Sequence, residues 1–282
     1  MKFTLASILS IASAAFLSLS SVQSVALPIV TEAPTLEKRE IKGLNNYACK
    51  LTKAHPRPII LVHATPLTLD SWKDFVPLSY GKYGAFQQFG GMAPIEQSAQ
   101  ELATVAEDIM TRMKVSQVDL VGKSECHSQG GILGRYWIKY LGGKGKVNKT
   151  IGVSPINHGT TLSNIITVAK AFGVFTSGQA TFDKIAPSFY QMVNTSPFIA
   201  KLNKGGDVAP GVIISNIATK FDQIVSPYAS CFQEKAGVTN QLLQDLCMVS
   251  LDEHFNSKNV LRWVMNQLDP STAKTASCLS MF

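Results

Sequence analysis

Apolar residues recur along this chain with two different periods. Arg57 to His63 (Arg-Pro-Ile-Ile-Leu-Val-His) is almost wholly apolar, the pattern of a strand covered on both faces in a parallel sheet. Val118 to Val121, Val147 to Val153 and Gly211 to Ala218 are further strands, and Ala85 to Phe89 is a weaker one. Between these runs the period changes. Ile95 to Met113 sets Leu102, Val105, Ile109 and Met113 on one helical face, with Glu96, Glu101 and Asp108 mostly off it. Ile132 to Leu141 is a helix closed by Gly142-Gly143, and Asn259 to Leu268 is an amphipathic helix before Asp269-Pro270. Strands alternating with helices predict a mostly parallel central sheet with helices on both faces. Residues 161–205 hold no clear strand. They carry two apolar helical pieces, Leu162 to Phe175 and Phe182 to Val193, which read equally as a lid or acyl-pocket wall and as core helices.

The strand at Val118 leads into the most informative stretch, Val-Asp-Leu-Val-Gly-Lys-Ser-Glu-Cys-His-Ser-Gln-Gly-Gly over residues 118–131. A buried strand, a glycine-rich turn with a serine and a following helix make a nucleophile elbow, the turn that presents a serine in α/β-hydrolases. Without Lys123-Ser124-Glu125-Cys126 the line would read Val-Gly-His-Ser-Gln-Gly-Gly, an intact G-x-S-x-G. With them, two registers are open. Ser128 holds the turn and the strand end absorbs Lys123 and Glu125; or Ser124 sits at the tip of Gly122 to Cys126 and the helix gains about one turn. A third reading has the four residues absent from the expressed protein. Gly130 and Gly131 allow a tight approach after Ser128 and favour the first register. Gly122-Lys123-Ser124 also mimics the end of a phosphate-binding loop, but that motif needs glycine where Gln117 stands.

A serine nucleophile needs a base, a group to orient the base, and N–H donors for the oxyanion. Asp222 follows the late strand ending at Ala218, and His254 lies beyond it, so the order Ser128, Asp222, His254 is that of an α/β-hydrolase triad. The other histidines fit the base less well. His55 reads as a surface residue, His63 as shaping the oxyanion loop, His127 as pointing away from the serine it adjoins, and His158 as structural. The oxyanion donors expected are the N–H groups of Gln129 and Thr65, with Ala64 standing where glycine is usual.

These segments together resemble the secreted class 2 lipases of actinomycetes and fungi. The resemblance runs from Pro56 to Leu268 through His55-Pro-Arg-Pro-Ile-Ile-Leu-Val-His63, Pro94-Ile-Glu-Gln-Ser98, Val118-Asp-Leu-Val-Gly122, His127-Ser-Gln-Gly-Gly131, Pro155-Ile-Asn-His-Gly-Thr160, Leu202-Asn-Lys-Gly-Gly-Asp207, Ile217-Ala-Thr-Lys-Phe-Asp222 and Val225-Ser-Pro-Tyr228. It implies an α/β-hydrolase fold and hydrolysis of acylglycerols at a lipid–water interface. It also implies Ser128, Asp222 and His254 as the triad, and no catalytic metal or cofactor. Ala64 and the four extra residues depart from the family pattern. They leave open a catalytically silent secreted homologue and a short-chain carboxylesterase beside the triacylglycerol lipase.

The ends and the composition add a compartment. Lys2, the apolar run Leu5 to Leu19 and Ser24-Val25-Ala26 read as a secretory signal peptide over 1–26. Residues 27–39 read as a pro-segment ending in the dibasic Lys38-Arg39, which leaves the hydrolase domain at 40–282 of the 282 residues. Secretion permits disulfides among Cys49, Cys231, Cys247 and Cys278, with Cys126 left over; the expected pairs are Cys231–Cys247 and Cys49–Cys278. Asn148 and Asn194 open glycosylation sequons. The net charge of +7 is scattered and accompanies no nucleic-acid-binding motif, so it reads as a solvated basic face. No run after the first segment is long enough to span a bilayer.

Overall fold

A parallel strand has to bury both of its faces, and the first strand does so residue by residue. In the computed structural model, β1 (Ile59–Val62) has all four side chains fully buried. Ile60 and Val62 belong to one apolar cluster, Ile59 and Leu61 to another. The period of two thus divides the protein into two cores on opposite faces of one sheet, each such side chain contributing roughly 1.5–3 kcal/mol of burial. The structure describes residues 43–63, 72–79, 85–87, 93–123, 129–161, 163–164, 166–167, 187–247 and 257–275. Arg39–Phe282 form one compact unit.

The first core is closed by α2 (Ile95–Met113) and α3 (Gln129–Tyr140), with the shorter α4 (Pro187–Gln191) and α5 (Pro197–Asn203) beside them. The second is closed by α1 (Val76–Ser79) and by α7 (Lys258–Leu268), which bring Trp72, Phe75, Val76, Val260, Trp263 and Val264 against the sheet. Among the described residues the sheet has six strands, all parallel. The others are β2 (Ala85–Gln87), β3 (Val118–Lys123), β4 (Val147–Val153), β5 (Ile213–Ala218) and β6 (Thr239–Leu242), in the spatial order β2-β1-β3-β4-β5-β6. A short helix, α6 (Leu243–Leu246), follows β6.

Register puts the carboxyl ends of the central strands level. Val62 pairs with Gly122, Lys123 with Val153, Val153 with Ile217, and Ala218 with Leu242. Ligands of open α/β sheets bind outside this edge.

Local signals explain the helix ends. Ser196 and Ser257 cap α5 and α7, each accepting from the backbone N–H three residues on. Gly142 takes φ +75° after α3, and the Gly143 N–H returns to the Trp137 carbonyl at 3.1 Å.

Two expectations need correction, and one strand, β6, lies beyond those expected. Strand β3 continues past Val121 through Gly122 and Lys123. Strand β6 carries a polar Thr-Asn-Gln-Leu sequence because it is an edge strand, half open to solvent. Cys49 and Cys231 are free thiols, so the pairs Cys231–Cys247 and Cys49–Cys278 are not formed. Cys247 is disulfide-bonded, and Cys278 and Cys126 lie outside the described residues. The Asn148 sequon lies in β4, where its amide nitrogen donates to Asp119 at 2.7 Å. Asn194 sits in an exposed turn. Among the described residues no helix is long and apolar enough to cross a membrane.

Candidate active site

The glycines at the β3–α3 corner are there because backbone passes where a side chain would be. A Cβ on Gly122 would lie 2.4 Å from the carbonyl carbon of Gly130. On Gly131 it would lie 2.4 Å from Pro155 Cβ, and on Gly134 2.6 Å from Leu120 Cδ1. The first turn of α3 therefore rests directly on the end of β3 and on the start of the loop after β4. Lys123 is still in the ladder, opposite Val153. Both serine candidates, Ser124 and Ser128, fall in the link 124–128, which lies outside the described residues. Gln129 opens α3 and is buried. N–H groups in the first turn of a helix point out along its axis with the positive end of its dipole, as an oxyanion donor must.

Asp222 lies four residues past the end of β5, at the same edge of the sheet. Its Oδ1 accepts from the N–H groups of Ile224 and Val225, each at 2.8 Å. The carboxylate is thus fixed to the backbone of its own loop. That loop is tied in turn to the segment after β4. Thr160 Oγ1 donates to the Ile224 carbonyl at 2.5 Å and accepts from the Ser226 N–H at 2.9 Å. Asn164 Nδ2 donates to the Gln223 and Ile224 carbonyls at 3.1 and 3.3 Å. The His158 N–H donates to the Ser230 carbonyl, and the Ser230 hydroxyl to the Gly159 carbonyl.

Beneath this loop lies a polar network in the core. Asn157 is 1% exposed and donates to the Cys231 carbonyl at 2.7 Å. Asn216, on β5, reaches Asn240 on β6, and both Asn157 and Asn216 reach Gln233. Gln233 Nε2 donates to the Asp207 carbonyl. Arg135, inside the apolar face of α3, donates to the Asn157 carbonyl and side chain and to Asn203. Burial pulls its guanidinium down to about 10, partly opposed by the charge of Asp207, so it remains a cation at neutral pH. A cavity of about the size of one water is lined by Arg135, Asn157, Asn216 and Gln233 under the β3–α3 corner.

Cys231 is fully buried and feels the charge of Asp222. Burial, reinforced by the negative charge of Asp222 and opposed by the Ser154 hydroxyl, pushes its thiol well above the usual range. His158 is part of the frame: Nε2 lies 3.1 Å from Asp207 Oδ2, and Nδ1 lies 3.2 Å from the Ser230 carbonyl.

The expected site residues divide as follows. Asp222, Gln129 and His63 come to one edge of the sheet, at the ends of β5, β3 and β1, with His63 buried one residue past β1. Thr65, with Ala64, and His254 lie outside the described residues. The polar frame of Arg135, Asn157, Thr160, Asn216 and Gln233 was not anticipated. Its sequence signals are an arginine in an apolar helix face and an asparagine in the middle of Ile-Ile-Ser-Asn-Ile-Ala. Among the described residues, no group of three or more His, Cys, Asp or Glu is placed to hold a metal ion.

No protein-family model matches the chain, and no curated protein matches it in sequence. Solved structures do match in fold. Lipase B of Aspergillus fumigatus is similar with a TM-score of 0.60 and 19% identity, over 80% of this chain and 54% of that one. A Bacillus licheniformis lipase is similar in its propeptide form, with a TM-score of 0.58 and 15% identity over 81% of this chain and 53% of that one. In its mature form the figures are 0.51 and 15%, over 66% of this chain and 84% of that one. The chain therefore spans about half the length of the Aspergillus enzyme. At these identities the likeness is one of fold, and with the parallel sheet flanked by helices it is the α/β-hydrolase fold.

Proposed function

We propose that this chain is a secreted serine ester hydrolase that releases fatty acids from acylglycerols through an acyl-enzyme, a triacylglycerol lipase. Ser128 is the nucleophile, His254 the base and Asp222 the acid, with the Gln129 and Thr65 N–H groups receiving the oxyanion. The observation that supports this most is the state of Asp222. A carboxylate pinned by two backbone N–H groups past β5 lies on the same edge where β3 passes the chain to α3 through a link containing both serines. The resemblance to class 2 lipases, carried by eight segments between His55 and Tyr228, supplies the substrate class.

In this reading Ser128 Oγ attacks the ester carbonyl while His254 takes its proton. The tetrahedral oxyanion rests on two N–H donors, each worth about 10²–10³ in rate. Collapse expels the alcohol, which receives the proton from His254. Water, deprotonated by His254, then attacks the acyl-enzyme, and the fatty acid leaves as Ser128 regains its proton. Asp222 holds the imidazole in the correct tautomer and stabilises the imidazolium. Residues 1–39 are removed in this scheme, and Asn194 is a sequon open to a glycan.

Fluorophosphonate labelling of the mature protein, followed by peptide mapping, tests the nucleophile. The expected adduct is on Ser128, and Ser128→Ala lowers hydrolysis of emulsified triglyceride by at least about 10⁴-fold. An adduct on Ser124 would transfer the role to that residue. No adduct, with no fatty acid released, removes the enzymatic reading. A chain-length series of nitrophenyl esters tests the substrate class, since activity confined to short acyl chains would make the chain an esterase. The intact mass of the secreted protein reads the processing at Arg39 and the presence of residues 123–126.

A further inference from the structure

Asp222 can act only where its loop holds it, and a residue outside that loop grips the loop's backbone. Asp222 Oδ1 takes the N–H groups of Ile224 and Val225, so the carboxylate moves with the 224–225 peptides. Thr160 takes the other polar groups of the same turn. Its hydroxyl donates to the Ile224 carbonyl at 2.5 Å and accepts from the Ser226 N–H at 2.9 Å. Thr160 is 0% exposed, and its own backbone is fixed. Its N–H donates to the Met192 carbonyl, its carbonyl accepts from the Asn194 N–H, and it forms a β-bridge with Val193. The grip therefore has a rigid base. Asn164, four residues on, adds a second tie to the Gln223 and Ile224 carbonyls.

We infer that Thr160 is a positioning residue for Asp222, a role that rests on the triad reading above. It touches neither substrate nor reacting atoms. Its hydroxyl fixes the turn that fixes the carboxylate, and the carboxylate fixes the imidazole. A misplacement of about 1 Å at such a point costs on the order of 10²-fold in rate. It also removes part of the charge that favours the imidazolium, so the pKa of the base falls.

Thr160→Val keeps the shape of the side chain and loses both hydrogen bonds; Thr160→Ser keeps both. On a soluble nitrophenyl ester, Thr160→Val is expected to lower kcat about 10–100-fold with KM within about twofold. The acid limb of its kcat profile moves to lower pH, and Thr160→Ser recovers kcat to within about threefold of the parent with the limb restored. A folded Thr160→Val protein with parental kcat, or with a lowered kcat and an unmoved acid limb, overturns the role. If Thr160→Val does not fold, Asn164→Ala decides. A loss of about threefold with the limb displaced the same way supports the grip on the loop, and a parental profile overturns it. Asp222→Asn, run in parallel, separates the two levels. A fully active Asp222→Asn sinks the triad assignment and Thr160 with it. An inactive Asp222→Asn beside a parental Thr160→Val removes Thr160 alone.

Discussion

At the β3–α3 corner the chain is positioned by contact, whereas in the loop after β5 it is positioned by hydrogen bonds. Gly122, Gly131 and Gly134 let backbone meet backbone or a neighbouring side chain where any Cβ would intrude. No polar side chain is needed to set that spacing. The acid loop has the opposite character. Asp222, Thr160, Asn164, Asn157 and Gln233 hold it through named donors and acceptors. Contact is steep in distance and blind to chemistry; hydrogen bonding tolerates small shifts but fails when a donor is removed. The two sides of one sheet edge should therefore fail under different substitutions.

The largest effect is expected where contact rules. Gly122→Ala removes no bond and adds one methyl, yet that methyl lands 2.4 Å from backbone that cannot rotate away. Stability should fall by about 3 kcal/mol, at the upper end for overpacking. Activity should fall more than about 100-fold as α3, with the N–H proposed to receive the oxyanion, is pushed off β3. Denaturant unfolding and ester hydrolysis read the two losses. A Gly122→Ala protein with parental stability and rate would show that the corner is looser than its glycines indicate.

Next comes the side chain that joins the regions. Arg135 stands on α3, the contact side, and reaches the polar frame of the other side through Asn157 and Asn203. Arg135→Met keeps most of the packing and strands those acceptors. The expected loss is about 2 kcal/mol, below the cost of an orphaned charge because the stranded acceptors are neutral and Asp207 still faces His158 Nε2 at 3.1 Å. A shift in the denaturant midpoint with an unchanged m-value is the signature.

These two regions were unequally legible in the sequence. The run at Val147 to Val153 and the helix Ile95 to Met113 were readable to the residue, because alternating burial along the first half of the strand and burial of one face of the helix each impose a period. The glycine corner was legible as a motif, since only glycine satisfies such contacts. The polar frame was not. Arg135 is separated from Asn203 by 68 residues and Asn157 from Cys231 by 74, and no local pattern announces that such groups will meet. Asn216 in a strand and Arg135 in an apolar helix face were visible as exceptions, but an exception does not name its partner. The disulfide expectation failed for the same reason. Pairing depends on which loops the sheet brings together, and Cys231 is turned into the core.

A smaller change sharpens the contrast from the hydrogen-bonded side. Gln233→Met preserves length and volume while losing an acceptor shared by Asn157 and Asn216 and the donor to the Asp207 carbonyl. Both amides keep another partner, so the expected cost is about 1 kcal/mol, with a fall in activity of about threefold. Thermal melting and hydrolysis at saturating ester check it. A loss as large as that of Gly122→Ala would mean that the frame acts as a single cooperative unit rather than as separable bonds.

The smallest expected effect concerns Cys231, which feels the charge of the acid but belongs to neither positioning device. The thiolate is the form that reacts with alkylating reagents. Burial first, and the neighbouring Asp222 charge second, hold Cys231 as a neutral thiol well above the usual range. Iodoacetamide under mildly alkaline conditions should therefore modify Cys49, which is partly exposed, and leave Cys231 untouched until the chain is unfolded. Peptide mapping before and after denaturation gives the answer site by site. Alkylation of Cys231 in the folded protein would mean that the loop carrying Asp222 opens on the timescale of the reagent. The hydrogen-bonded side of the sheet edge would then be the moving one, and the hold of Thr160 on that loop would have to be intermittent.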